Sequence, residues 1–110
     1  MTAHVRHRTK YYDIAVSKDH EFVFTTDRKR VGESAATLSH LAEAATRVSP
    51  DVLINHSQYH DFSRWIATIF CDHVLASDVR KLESTLRNDG AVKDFISGLC
   101  ETVEKRYEGS

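Results

Sequence analysis

Two histidines stand four residues apart at His56 and His60, an aspartate follows at Asp61, and a Cys71-Asp72-His73 cluster lies downstream. These residue types could do three kinds of chemistry. An i, i+4 histidine pair faces one side of a helix and can supply two metal ligands. Histidine beside an aspartate, here His56 with Asp61 or Asp72, can move protons as a general acid or base. A thiol next to an imidazolium can become a nucleophilic thiolate, which makes Cys71 a candidate.

Each option meets a counter-argument in the same residues. Ser57, not glutamate, follows His56, so the His-Glu-x-x-His arrangement of zinc proteases is missing. His60 and His73 are thirteen residues apart, and across one continuous helix at 1.5 Å rise that is roughly 20 Å, too far for a single ion. His56 aligns with Val52 and Tyr59 on the apolar side of a helix, where a semi-buried ring donating to a backbone carbonyl is expected. Asp61 is placed to cap the next helix. Cys71 closes an apolar stripe at a helix C-terminus, which disfavours a thiolate, and Cys100 sits in the last apolar stripe, so both are expected to be buried free thiols. The four glycines, at 32, 90, 98 and 109, never approach phosphate-loop spacing. The reading is therefore no catalytic residue and no cofactor, with His56 and His60 as the sole metal alternative.

These groups must be positioned by one hydrophobic core, because 110 residues hardly build two. Tyr11 to Val16 and Glu21 to Thr25 alternate with a period of two, so two strands are expected, joined by Ser17-Lys18-Asp19-His20 as a hairpin. Val31 closes a third, very short strand. From Ser34 the period changes to three and four. A first helix over about 35–48 is expected with Ser34 as cap, then a second from Ser49-Pro50 to about Tyr59. Phe62, Trp65, Ile66, Ile69 and Phe70 form the strongest apolar stripe and the expected centre of the core, on a third helix. Val79, Leu82 and Leu86 mark a fourth, and Asn88 or Asp89 starts a last helix carrying Val92, Phe95, Ile96, Leu99, Cys100 and Val103. The expected fold is α+β: a mainly helical domain of four or five short helices with an N-terminal antiparallel hairpin, spanning 11–107 behind a basic arm over 1–10. Truncating Trp65 to alanine in such a core is expected to cost roughly 3 to 5 kcal/mol.

Charge is nearly balanced at −1 but unevenly placed. Residues 1–31 carry seven Lys/Arg against four Asp/Glu, and residues 32–110 carry eight against twelve. An overall basic field of the kind that drives nucleic-acid binding is absent. Two local patches remain, Arg6, Arg8 and Lys10 beside Tyr11 and Tyr12, and Arg28, Lys29 and Arg30. They carry the alternative of weak nucleic-acid binding. Neither a secretory leader nor an apolar run long enough for a bilayer is read, so a soluble, cytoplasmic protein without membrane partners is expected.

Several of these segments together resemble a family of small prokaryotic domains that has no assigned activity. They are Ser34 with Leu38, Leu41 and Ala42; Val52, Leu53 and His56; Asp61-Phe62-Ser63-Arg64-Trp65-Ile66; and Phe70-Cys71-Asp72-His73-Val74-Leu75-Ala76 followed by Val79. The resemblance covers roughly residues 20–100. It departs from the family at Arg28 and Cys71, where glycine is expected. It implies a fold and no reaction.

With no convergent polar constellation, the expected function is a non-enzymatic protein-interaction or regulatory module. Its partner would be another protein or a second copy of the chain. A small metal- or histidine-dependent enzyme using His56, His60 or Cys71 is the further alternative. Val74, Leu75 and Ala76 cannot all point inward from one turn, so Val74 and Leu75 are the expected partner contacts.

Overall fold

The computed structural model describes residues 16–26 and 29–107, with only the backbone of Lys29, Arg30 and Tyr107. Two antiparallel strands, β1 (Phe22–Thr26) and β2 (Lys29–Ala35), precede five helices: α1 (Leu38–Ala45), α2 (Pro50–Gln58), α3 (Asp61–Ile69), α4 (His73–Thr85) and α5 (Val92–Tyr107). The fold is α+β, a mainly helical domain led by a hairpin.

The hairpin is made differently from the sequence expectation. Lys18–His20 forms a 3-10 turn, and the hairpin of the described residues is made by β1 with the strand after it. Val31 belongs to this longer strand, while the expected strand over 11–15 lies outside the described residues. Period-two alternation at Phe22 and Phe24 identified β1 correctly, but Gly32-Glu33-Ser34 concealed β2. The ladder explains why. Between the pairs Val23↔Ser34 and Thr25↔Arg30, β1 advances two residues and β2 four, so β2 bulges and its alternation breaks. Gly32 sits within the bulge at φ +86°, where only glycine is free of strain.

Because Ser34 is consumed by β2, it cannot cap α1. Thr37 does so instead, accepting the His40 N–H at 3.0 Å. Ser49-Pro50 opens α2 as expected, with proline at a position whose N–H would have no helical partner. A 3-10 turn over Asp89–Ala91 delays α5 to Val92, later than its expected start.

The core is centred on Phe62 rather than Trp65. Phe62, Ile66 and Phe70 are buried, whereas Trp65 and Ile69 are half-buried against the cluster. Phe62 stacks on Phe22 at 4.9 Å, lies 6.1 Å from Phe24 and reaches Phe95 of α5 at 5.8 Å. Trp65 is placed at the edge by its polar end: its indole N–H donates to the His20 carbonyl at 2.7 Å, pinning the 3-10 turn. On the far side α5 closes onto α4 at Gly98, where a Cβ would lie 2.9 Å from Leu82 Cδ2.

The two cysteines are both free and exposed, contrary to the buried thiols expected. Cys100 falls on the outer flank of α5, beside Leu99 and away from the buried Phe95, Leu99 and Val103 stripe. Burial of its surroundings, with the Glu104 carboxylate adding to it, pushes the Cys100 thiol above the usual range. Cys71 holds φ +53° in the link between α3 and α4. Left-handed backbone favours glycine, so cysteine is an unusual occupant of this position.

The different burial of the two aromatic residues sets an order of stability losses. Phe62→Ala should cost about 3 to 5 kcal/mol by leaving a closed cavity. Trp65→Ala should cost about 2 kcal/mol, less than the core value, because solvent fills part of the space. Urea unfolding of the two variants measures both. A Trp65→Ala loss equal to or above that of Phe62→Ala would contradict this placement of the core.

Candidate functional site

The polar residues that look reactive in the sequence converge on two helix starts. α2 ends at Gln58, and the chain turns into α3 through His60, which takes φ +56° and gives α3 no side-chain cap. Asp61 is the first residue of α3 rather than its expected cap. The exposed N–H groups of this helix start are instead met from a distant part of the chain.

Glu83, near the end of α4, supplies that cap from a buried position. Its Oε2 accepts the backbone N–H groups of Phe62 at 3.0 Å and Ser63 at 3.2 Å. Its Oε1 accepts the Ser63 hydroxyl at 2.6 Å and lies 3.3 Å from His60 Nδ1. A carboxylate suits this place, because unpaired N–H donors and the positive end of the helix dipole both point at it. No sequence signal could reveal the cap, since donor and acceptor are twenty residues apart and on different helices.

Asp72 does the same for α4 by the local rule. It is buried, accepts the Leu75 N–H at 3.1 Å and is held by the Arg106 guanidinium, whose Nε and Nη2 donate to it at 3.0 Å each. The fork geometry ties the C-terminal turn of α5 to the start of α4. Asp72 is thus committed to a cap and an ion pair within the fold.

His56 is 4 % exposed and caged by Phe22, Phe24 and Phe62 at centroid distances of 5.1, 5.9 and 5.6 Å. Its ring bonds differ from the expected donation to a carbonyl. The Thr25 backbone N–H donates to Nε2 at 3.0 Å, so Nε2 carries no proton, and Nδ1–H donates to Asp61 Oδ2 at 2.8 Å. The ring bridges β1 and the start of α3. Both nitrogens are occupied, which leaves neither for a metal ion or a substrate.

His56 and His60 therefore do not converge: one ring turns to the hairpin, the other to Glu83. Among the described residues no group of three or more His, Cys, Asp or Glu side chains is arranged to hold a metal ion. The sequence argument about His73 needs correction too. His60 and His73 are not on one continuous helix, because α3 ends at Ile69 and the chain reverses through Cys71 before α4. Both histidines line the same cleft.

That cleft, about 420 Å³, runs between α3 and α4. Arg64, Arg80, His60 and His73 line it, and Ser63, Ala67, Ala76 and Ser77 complete it with small side chains. Tyr59 lines its rim and is 62 % exposed, and Val74, next to His73, is 57 % exposed. These are the two large apolar side chains left exposed among the described residues. Leu75, paired with Val74 as an expected partner contact, is fully buried in the core, and Leu75→Asp would place a charge there. Helical geometry separates the two: successive side chains differ by about 100°, so one faces in and the other out.

Of the basic groups singled out in the sequence, Arg6, Arg8, Lys10 and Arg28 lie outside the described residues, as do the side chains of Lys29 and Arg30. Among the described residues no helix is long and apolar enough to cross a membrane. No family model matches the chain, and neither a curated protein nor a solved structure matches it.

Two predictions follow from these bonds. Glu83→Gln should lower stability by about 3 kcal/mol, because an amide presents its own N–H groups to donors and leaves part of the α3 terminus unmet. Urea unfolding reads this directly, and a loss under about 1 kcal/mol would show the carboxylate to be dispensable. Long-range ¹⁵N–¹H correlation spectra of the folded protein should show His56 as the Nδ1–H tautomer. A proton on Nε2 would contradict the Thr25 bond.

Proposed function

We propose that this protein is a non-enzymatic protein-interaction module acting in the cytoplasm, and that the α3–α4 cleft is its contact surface. The observation that carries the reading is the placement of Tyr59 and Val74. In a chain whose other large apolar side chains are buried or half-buried among the described residues, an exposed Tyr59 on the rim of the cleft and an exposed Val74 on the neighbouring flank of α4 fit a partner surface. An aromatic ring at a groove edge adds contact area at small entropic cost. The reading is supported as well by the use made of the reactive-looking groups: His56, Asp72 and Glu83 each spend their hydrogen bonds inside the fold. The partner is a second protein or another copy of this chain.

The double variant Tyr59→Ser, Val74→Ser tests the surface without touching the core, and its unfolding free energy should stay within about 1 kcal/mol of the parent. Sedimentation of the purified protein, together with affinity capture from cell extract, should show self-association or one specific protein held by the parent and lost by the variant. Unchanged association in the folded variant would remove the cleft from the proposal. A strictly monomeric chain that captures nothing would remove the module reading itself.

A further inference from the structure

We infer that the cleft between α3 and α4 is a docking groove for an acidic peptide segment of the partner. This inference rests on the interaction reading above and adds the chemistry of the ligand. Charge carries it. The lining includes Arg64, Arg80, His60 and His73 and no carboxylate, although residues 32–110 hold twelve acidic residues against eight basic ones. A groove of this sign on the acidic part of the chain is a local feature, not a reflection of background composition.

The neighbouring carboxylates are already engaged. Asp61 Oδ1 lies 3.7 Å from Arg64 Nη2 while its Oδ2 accepts from His56, so Asp61 takes up part of the charge of Arg64 and leaves Arg80 as the freer cation. Glu83 lies behind His60 and Ser63 with its oxygens turned to the α3 terminus. Arg64 also donates to the Tyr59 carbonyl, which holds its guanidinium at the rim. Arg80 is exposed and forms no ion pair among the described residues, so its donors are available for a planar, two-pronged contact with a carboxylate.

Shape agrees with charge. Small side chains along the middle, Ser63 and Ala67 on α3 with Ala76 and Ser77 on α4, let a main chain approach the groove closely. The cationic groups rise on both sides at helical spacing, Arg64 from one helix and Arg80 from the other. An extended peptide with glutamate or aspartate at intervals would place its carboxylates against both arginines, with an apolar or aromatic neighbour on Tyr59. Such a contact steers the encounter and weakens with salt.

A hexaglutamate peptide with blocked ends is the probe, and ¹H–¹⁵N spectra of the full chain are the readout. Saturable shifts should be confined to residues 59–67 and 73–80, fade at high salt and be absent with hexaglutamine. Arg80→Gln should weaken the binding at least fivefold, while Arg47→Gln, which alters an exposed arginine paired with Glu33 and Glu43 on another face, should not. Shifts elsewhere, no saturable shift, or equal binding by Arg80→Gln would overturn the inference. So would tighter binding of a hexathymidine oligonucleotide in the same groove, which would assign it to nucleic acid. The two readings fail separately. Loss of a captured protein in the Tyr59, Val74 variant without hexaglutamate binding keeps the module and overturns the acidic ligand. Hexaglutamate binding with nothing captured supports the anion-binding groove and removes the module.

Discussion

A buried carboxylate at a helix start is the constraint on which this fold turns. Glu83 meets two backbone N–H groups, a hydroxyl and an imidazole at one point, and those groups come from the corner where α2 becomes α3. An unpaired charge at that depth would be strongly unfavourable, and so would the bare N–H groups of α3. Each cancels the other only if α4 runs back along α3 at one register. The pairing of those two helices, and so the groove between them, follows from satisfying one side chain. The same contact explains how His60 can hold a left-handed backbone, since its ring is fixed against Glu83.

His56 applies the same logic to the hairpin. Two strands alone are marginal in water, and the bulge in β2 weakens the ladder further. The Thr25 N–H finds its partner in the imidazole, whose other nitrogen is tied to Asp61. Three elements thereby meet at one ring inside a cage of phenylalanines. Among the described residues one buried side-chain group remains outside this economy: the Ser57 hydroxyl has no hydrogen-bond partner. Ser57 lies beside the Glu83 network, within a small recess that it shares with His60.

What the sequence revealed and concealed follows from the range of each interaction. Ser49-Pro50, the stripe on α3 and the change of period after the hairpin depend on near neighbours, and those elements were legible. β2 was not, because a bulge at Gly32 breaks the alternation by which strands are recognised. Trp65 has the spacing of a core centre, but hydrophobic spacing does not register that an indole N–H must find an acceptor, here the His20 carbonyl at the surface. Asp61 fits the local capping rule, whereas the cap that forms comes from Glu83, which reaches α3 from α4. The break at Cys71 was hidden because cysteine gives no warning of a left-handed backbone. Spacing along a continuous helix separates His60 from His73, so the cleft that both line is not legible in the sequence.

The candidate site thus inverts the impression made by the residue types. His56, Asp61, Asp72 and Glu83 have the chemistry of catalysis, yet the fold uses each to satisfy backbone donors or to join elements. Groups with that much polar capacity are costly to bury and are kept where several bonds can be made at once. The same demand for satisfaction turns the oxygens of Glu83 to the α3 terminus and those of Asp72 to Leu75 and Arg106. Arg80 and the exposed His73 of the groove form no ion pair among the described residues. Among the described residues Asp72 and Glu83 are the buried carboxylates, and the bonds that hold them set how α3 and α4 lie together and so shape the cleft between those helices.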